Sequence, residues 1–259
     1  MDYNLTRRQM IRLGTSFGIG LAGAALFDHG SSSNAADASQ GNPWQYHELD
    51  TPTSEKLGYK GFYKGGCAYG TFYGAMFQLS RKHGEPYSSF PIHMMKFGTS
   101  GVAGYGSLCG CLNGGAALIG LFCQDDAVRN QMIQELLRWY EQTKFPIYKP
   151  SFSPIETEIV QTKSNSVLCH ISVGEWCGIS GYKASSKERL DRCARLAGDV
   201  SKKTTDMLNS WLKGGYLAAN LSSISDDCRA CHGRGGEVDD IKGLMDCSIC
   251  HDDKLSDHY

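Results

Sequence analysis

The feature that constrains this chain most is a pair of C-x-x-C-H segments close to its C-terminus. The first covers residues 228–232 and the second covers residues 247–251. Two thiols three positions apart on one turn can each add to one vinyl group of a haem, and the histidine that follows can then bind the iron. The doubled pattern therefore predicts two covalently attached c-type haems. Their attachment residues are Cys228, Cys231, Cys247 and Cys250. Their proximal iron ligands are His232 and His251.

The same cysteine pairs also have the spacing of a zinc ribbon, with fifteen residues between the pairs. A zinc ribbon needs no histidine after each pair, and histidine makes up only 8 of the 259 residues. The probability that histidine follows both pairs by chance is on the order of one in a thousand. Haem attachment is therefore the favoured interpretation, and a zinc-stabilised binding protein is the weaker alternative.

The N-terminus has the composition of an export signal. Arg7 and Arg8 precede an apolar, glycine-rich stretch over residues 13–27, and small residues follow at candidate cleavage sites. This order resembles a twin-arginine signal. The alternatives are a membrane anchor or a chance pair of arginines, but a run of about 15 apolar residues is short for a bilayer. We expect a signal over residues 1–38, a periplasmic location and no membrane attachment after cleavage.

The charge and cysteine counts exclude further classes. The chain has 26 Lys and Arg against 27 Asp and Glu, a formal net charge of −1. This balance gives no electrostatic reason to expect nucleic acid or an anionic membrane as a partner. An odd count of 11 cysteines argues against a simple disulfide framework and favours metals or cofactors.

Apolar residues recur at helical spacing through the central part of the chain. Helices are predicted over residues 65–82, 90–97 and 108–123, from residues 125–126 to Pro146, and from the Ser185-x-x-Glu188 capping box to Gly214–Gly215. Residues 41–61 are expected to be irregular and residues 155–161 to form a strand. The predicted fold is mainly α, with a helical body over residues 39–220 and a loop-rich, haem-binding segment over residues 221–259.

Seven cysteines lie outside the haem motifs. Cys123 and Cys193 fall in apolar helical stripes and are interpreted as small core residues. A four-thiolate set would suit an iron–sulfur cluster. Its candidate ligands are Cys67, Cys109, Cys169 and Cys177, with Cys111 as a spare. A disulfide between Cys169 and Cys177 is the alternative for that pair in an oxidising compartment.

These segments together resemble a known family. Gly66-Cys67-Ala68, Leu108-Cys109-Gly110 and the later cysteines Cys169 and Cys177 look like the C-GCAxxG-C-C family of redox-associated proteins. With two terminal C-x-x-C-H sites, the chain is similar to the split-Soret cytochromes c. The resemblance implies a homodimer with two bis-histidine c-type haems per subunit, clustered at one end, and an iron–sulfur site in the helical body.

Each haem then needs a second axial ligand. The candidates are His47, His83, His93, His170 and His258, with Met94, Met95 and Met245 as thioether ligands. We favour His170, which follows Cys169, and His93, which lies close to Pro91. The alternative for each is an ordinary hydrogen-bonded histidine. The resemblance implies that one ligand comes from the partner subunit.

The export route supports a second cofactor. Twin-arginine export carries folded proteins, whereas c-type haem is attached after export, so a cluster assembled earlier in the body would explain this route. No hydrolytic constellation of side chains is evident in the sequence. We therefore predict a non-enzymatic electron carrier that exchanges electrons with redox partner proteins. The alternative is an exported redox enzyme whose substrate meets the cluster or an open haem position.

Overall fold

The computed structural model describes residues 42–216 and 226–251. Its elements, in chain order, are α1 (Thr51–His83), two 3₁₀ helices (Tyr87–Ser89 and Ile92–Phe97), α2 (Gly110–Phe122), α3 (Asp126–Gln142), β1 (Lys144–Phe145), β2 (Thr162–Lys163), α4 (Cys169–Ser180), α5 (Lys187–Leu212), α6 (Asp226–His232) and α7 (Ser248–His251). The predicted fold class, mainly α, is confirmed. The predicted signal over residues 1–38 and the candidate ligand His258 lie outside the described residues. Within the described ranges, no helix has the length and apolar character needed to cross a membrane.

Helix α1 begins within the region that we predicted to be irregular. The Asp50 carboxylate accepts a hydrogen bond from the backbone N–H of Thr53 at 2.8 Å and caps the helix. Pro52 lies in the first turn, where its missing N–H leaves no helical hydrogen bond unmade. The prediction for residues 41–61 is therefore wrong from Thr51 onward. The helix is interrupted at Gly66, whose φ of 84° favours glycine, and this break directs the chain just before the first body cysteine.

Helix α5 packs along α1 and is the most amphipathic helix of the body. The hydroxyl of Ser186 accepts a hydrogen bond from the backbone N–H of Arg189 at 3.1 Å. The N-cap is thus one residue beyond the predicted Ser185. Buried alanine and valine side chains on α5, including Ala194, Ala197 and Val200, face the core between the two helices.

Helices α2 and α3 complete the core. Leu112, Leu118 and Ile119 of α2 are fully buried, which confirms the prediction of a central helix here. The Asp125 carboxylate accepts a hydrogen bond from the N–H of Val128 at 3.0 Å and starts α3, as its position before an amphipathic run predicted.

The strand predicted over residues 155–161 is wrong. The short antiparallel pair instead joins Lys144 with Lys163 and Phe145 with Thr162. Ile155 and Ile159 pack with Trp176 of α4 in a small second hydrophobic cluster. The two isoleucines are therefore buried against a helix, which explains why their apolar pattern was mistaken for that of a strand.

The C-terminal segment differs in character from the body. Its two helices, α6 and α7, span 7 and 4 residues and bury none of their side chains. The residues between them are mostly turns and irregular backbone. A loop-rich segment of this kind has little core of its own, as predicted.

Candidate metal centre and haem-attachment segment

A backbone bridge brings two distant cysteines together. Leu108 and Leu168 form an isolated antiparallel bridge. Beside it, the N–H of Cys109 donates to the carbonyl of Val167 at 2.9 Å, and the N–H of Cys169 donates to the carbonyl of Ser107 at 2.8 Å. Two residues sixty positions apart in sequence thus start neighbouring helices, α2 and α4.

A close helix approach adds a third cysteine. The N–H of Ala68, just after the break in α1, donates to the carbonyl of Gly98 at 3.2 Å. A methyl group added at Gly110 would lie 1.9 Å from that carbonyl oxygen and 2.6 Å from the Cβ of Cys67. Glycine at the start of α2 therefore allows Cys67 to lie directly against the turn that carries Cys109 and Cys111.

Helix α5 contributes one more cysteine, Cys193, and the charged side chain of Arg192 to the same place. A small cavity of about 10 Å³, room for roughly one water molecule, lies where these elements meet. Its lining residues are Cys67, Cys109, Cys111, Tyr140, Cys169, Ser172, Val173, Arg192, Cys193 and Leu196. We call this group the cysteine cavity. A larger, half-open hollow of about 500 Å³ near Tyr148 and Arg195 has no cysteine in its lining.

The cysteine cavity contains three of the four predicted ligands, namely Cys67, Cys109 and Cys169. The fourth, Cys177, is not among the lining residues: that side chain packs against the cluster of Ile155, Ile159 and Trp176. The reason is helical geometry, since Cys169 and Cys177 are eight positions apart on α4, about 12 Å along its axis. Cys193, interpreted from sequence as an ordinary core residue, lines the cavity instead.

Cys111 has the central position among the thiols. Hydrogen bonding with Cys111 lowers the pKa of Cys109 to about 6, although burial opposes this effect. A hydrogen bond from the same thiol also lowers the pKa of Cys67. The pKa of Cys111 itself is raised well above its usual value by these two neighbours and by burial. Of the Cys109 and Cys111 thiols, Cys109 therefore loses its proton the more readily.

The other two thiols of the cavity stay protonated. Burial raises the pKa of Cys169 to about 12, and the nearby thiols of Cys109 and Cys193 add to this effect. Burial likewise raises the pKa of Cys193. Metal ligation requires thiolates, so binding of a metal in the cavity would release protons.

The only guanidinium lining the cysteine cavity belongs to Arg192, which is 1% exposed. Its Nη2 donates a hydrogen bond to Ser172 Oγ at 2.9 Å, and the hydroxyls of Ser172 and Tyr140 are also 2.9 Å apart. Arg192 Nε has no hydrogen-bond partner, and no carboxylate forms an ion pair with this side chain, within the part of the chain that the structure describes. A buried cation of this kind requires nearby negative charge.

The cavity suits a thiolate-ligated iron centre by its chemistry. Soft thiolates select iron and zinc over hard cations, and the uncompensated Arg192 favours an anionic occupant. In the described ranges, no three Cys, His, Asp or Glu side chains already stand around one point as metal ligands. Because the cavity is small, the thiols would have to turn about χ1 to hold a metal, a change between staggered rotamers.

The two haem motifs lie on short helical turns. In the second motif, the N–H of His251 donates to the carbonyl of Cys247 at 3.0 Å, and Cys250 is exposed. In the first, Nδ1 of His232 lies 3.1 Å from the Asp240 carboxylate. A carboxylate at Nδ1 fixes the ring orientation, the arrangement that metal-ligating histidines commonly have.

The candidate distal ligands fall into distinct environments. His170, in the first turn of α4, and His93, in a 3₁₀ helix, are both exposed. His47 and His83 stack on each other with ring centroids 3.8 Å apart. Met94 and Met245 are exposed, whereas Met95 is buried in the main core and is not available to a haem at the surface.

Comparisons with known proteins agree with this geometry. Residues 67–207 match the family described as "Putative redox-active protein (C_GCAxxG_C_C)". "Split-Soret cytochrome c" of Desulfovibrio desulfuricans (strain ATCC 27774 / DSM 6949 / MB) is 37% identical over 220 residues, which cover 80% of this chain and 77% of that protein. The chain belongs to the split-Soret cytochrome c family. A solved structure described as "A novel iron centre in the split-Soret cytochrome c from Desulfovibrio desulfuricans ATCC 27774" superimposes with a TM-score of 0.76 and 35% identity, covering 80% of this chain and 90% of that one.

The match to the C_GCAxxG_C_C pattern revises the role of Cys111. The matched residues start at Cys67, and within the match the sequence has one G-C-x-x-x-G run, which begins at Gly110 and Cys111. Gly115 is its closing glycine, and Leu112 stands in place of alanine. We had predicted this element at Gly66-Cys67-Ala68, although the sequence itself contains the G-C-x-x-x-G spacing one helix later.

Proposed function

We propose that this split-Soret cytochrome c is an exported, homodimeric electron carrier with two bis-histidine c-type haems per chain and an iron–sulfur cluster in the cysteine cavity. The observation that carries the proposal is the pair of C-x-x-C-H turns in a chain of the split-Soret cytochrome c family. Haem and a thiolate-ligated iron centre both supply one-electron chemistry when bound.

The contribution of the C-terminal segment is to hold and orient the haems. Cys228 and Cys231 would attach one haem and the cysteines at 247 and 250 the other. His232 supports the assignment through its contact with Asp240. Helices α6 and α7 are short and bury none of their side chains, so they would leave a bound haem accessible to a partner protein for electron exchange.

Covalent attachment is tested by the mass of the denatured chain. The protein should retain the mass of two haems, and the double variant Cys228→Ala/Cys231→Ala should retain one. Cys123→Ala, at a body cysteine away from both sites, is the matched control and should retain both. A denatured chain with no added mass would overturn the haem proposal and favour zinc.

Bis-histidine ligation is proposed through the exposed His170 and His93, with one ligand donated across the dimer. Each single alanine variant should convert a low-spin haem to high spin in the visible and EPR spectra. His83→Ala is the control, because that ring stacks on His47 instead. Low-spin spectra in both variants would remove these two residues from the proposal.

The ligands proposed for the cluster are Cys67, Cys109, Cys111 and Cys169. Three of them were predicted from the sequence. Cys111 replaces Cys177 because it lines the cavity and follows Gly110 in the G-C-x-x-x-G run within the family match. The relative's solved structure supports an iron centre by its description. Cys193, which also lines the cavity, is an available replacement ligand.

Two variants distinguish these assignments. Cys111→Ser in anaerobically purified protein should lose most non-haem iron and acid-labile sulfide, whereas Cys177→Ser should keep both. Equal retention in the two variants would exclude Cys111 as a ligand, and loss only from Cys177→Ser would restore the original four-cysteine set. Haem content, measured in the same samples, controls for general misfolding.

Periplasmic location and the twin-arginine route complete the proposal. The Arg7-Arg8 pair supports it. Replacement of both arginines by lysine should leave the chain in the cytoplasm without haem. Accumulation of mature, haem-loaded protein in the periplasm would contradict this route.

A further inference from the structure

Arg192 is a buried cation that electron transfer through the haems does not use. It lies on the inward face of α5, next to Cys193, and is 1% exposed. Two other cations of the body, both partly buried, are paired with carboxylates: Lys203 with Glu135, and Arg195 with Asp191. Arg192 has no such partner among the described residues, although a guanidinium cannot lose its proton in a protein.

A chain of hydrogen-bonding groups connects Arg192 to Cys109. Arg192 Nη2 donates to Ser172 Oγ at 2.9 Å, and Ser172 Oγ lies 2.9 Å from the Tyr140 hydroxyl. Tyr140 in turn hydrogen bonds to the Cys109 thiol and helps to lower its pKa. Ser172 and Tyr140 are 1% and 0% exposed, so water does not screen this connection.

Charge also supports the connection. The guanidinium of Arg192 lies in a cavity whose lining has five thiols and no carboxylate. Its charge therefore favours an anionic occupant. Within the described part of the chain, Nε–H of Arg192 is one further donor without an acceptor.

We propose that Arg192, acting with Ser172 and Tyr140, is the positioning residue that stabilises the reduced state of the iron centre. This inference rests on the proposed cluster in the cysteine cavity. One-electron reduction converts one iron(III) to iron(II) and adds one negative charge to a buried site. The electron comes from a reduced haem or, in a titration, from dithionite. The fixed guanidinium charge offsets the added charge, and hydrogen bonds to sulfur favour reduction in the same direction.

The test is an EPR-monitored redox titration of the anaerobic holoprotein. Arg192→Gln should lower the midpoint potential of the non-haem iron signal. We expect the equilibrium constant for reduction to fall at least tenfold, which corresponds to a shift of 59 mV for one electron. Ser172→Ala and Tyr140→Phe should shift the potential in the same direction by less. Arg192→Lys, which keeps the charge but not the planar fork, should recover part of the shift.

Two controls separate this role from a structural one. The haem midpoint potentials should not change in any variant. Arg189→Gln removes an equal charge one turn earlier on α5, at a partly exposed position where solvent screens it, and should have a much smaller effect. If Arg192→Gln does not fold, the midpoint potentials of Arg192→Lys and Ser172→Ala test the same role.

The possible failures are distinguishable. Wild-type protein with no non-haem iron would overturn the proposed cluster and this inference together. Wild-type protein with the iron signal, but with unchanged potential in every folded variant of Arg192, Ser172 and Tyr140, would overturn this inference alone. An equal shift in Arg189→Gln and Arg192→Gln would show an effect of net charge and would also overturn it.

Discussion

The contact between α2 and the break in α1 makes Gly110→Ala a sharp test of how the cysteine cavity is assembled. The added methyl group would lie 1.9 Å from the carbonyl oxygen of Gly98, about 1.5 Å closer than ordinary contact, and 2.6 Å from the Cβ of Cys67. Backbone and Cβ atoms cannot rotate away, so α2 would have to shift. Overpacking of this kind costs about 1–3 kcal/mol. Weakening the hydrogen bond from Ala68 N to Gly98 O, 3.2 Å long, adds about 1 kcal/mol.

We therefore expect Gly110→Ala to lower the free energy of unfolding by about 2–4 kcal/mol and to reduce non-haem iron, since Cys67 is displaced. Gly120→Ala is the matched control on the same helix, because nothing lies within 4 Å of the added methyl group. It should stabilise the protein by about 0.5–1 kcal/mol through helix propensity. Urea unfolding followed by far-UV circular dichroism measures both. A Gly110→Ala protein within about 0.5 kcal/mol of wild type, with full iron content, would refute the close approach.

Three further predictions concern charged groups. Lys203→Met should cost about 1–3 kcal/mol because it removes the 2.8 Å cationic partner of the buried Glu135 carboxylate, which keeps its hydrogen bond from Tyr216. Lys213→Met, at an exposed pair, should cost at most about 0.5 kcal/mol in the same urea titration. Burial raises the pKa of Asp199 to about 7. The protonated carboxyl group therefore contributes to the free energy of unfolding below about pH 4, and this contribution is lost as the pH rises through 7. Asp199→Asn should therefore lose less unfolding free energy between pH 5 and pH 8 than wild type, and an equal loss would contradict this assignment. Asp240→Asn should raise the midpoint potential of one haem and leave the other unchanged, because His232, the proximal histidine of the first motif, loses its carboxylate partner. Two unchanged potentials in a redox titration would argue against that contact.

The haem-attachment prediction needs only the sequence because the chemistry of attachment is local. Attachment of each haem needs two thiols and a histidine within five consecutive residues, so residues 228–232 and 247–251 carry the whole signal. Helix starts are local in the same sense, and the Asp125 cap was predicted correctly. Pro52 was misread because a proline in the first turn of a helix and a proline in a loop look alike in sequence.

The cysteine cavity could be predicted only in part because it is assembled from distant segments. A bridge between Leu108 and Leu168 brings two of its cysteines together, and no local pattern encodes that pairing. Helical spacing would have argued against Cys177, but α4 itself was not predicted. Arg192 did leave a signal, since it lies four residues before Leu196 on the inward face of α5, where a charged residue is unexpected.

The measurement that tests the account most directly is the ratio of haem, total iron and acid-labile sulfide per chain in anaerobically purified wild-type protein. We predict two covalent haems per chain, iron in clear excess of haem, and sulfide that accompanies the excess. Iron equal to haem, with no sulfide, would contradict the iron–sulfur cluster and leave the cysteine cavity as a thiol-rich part of the core.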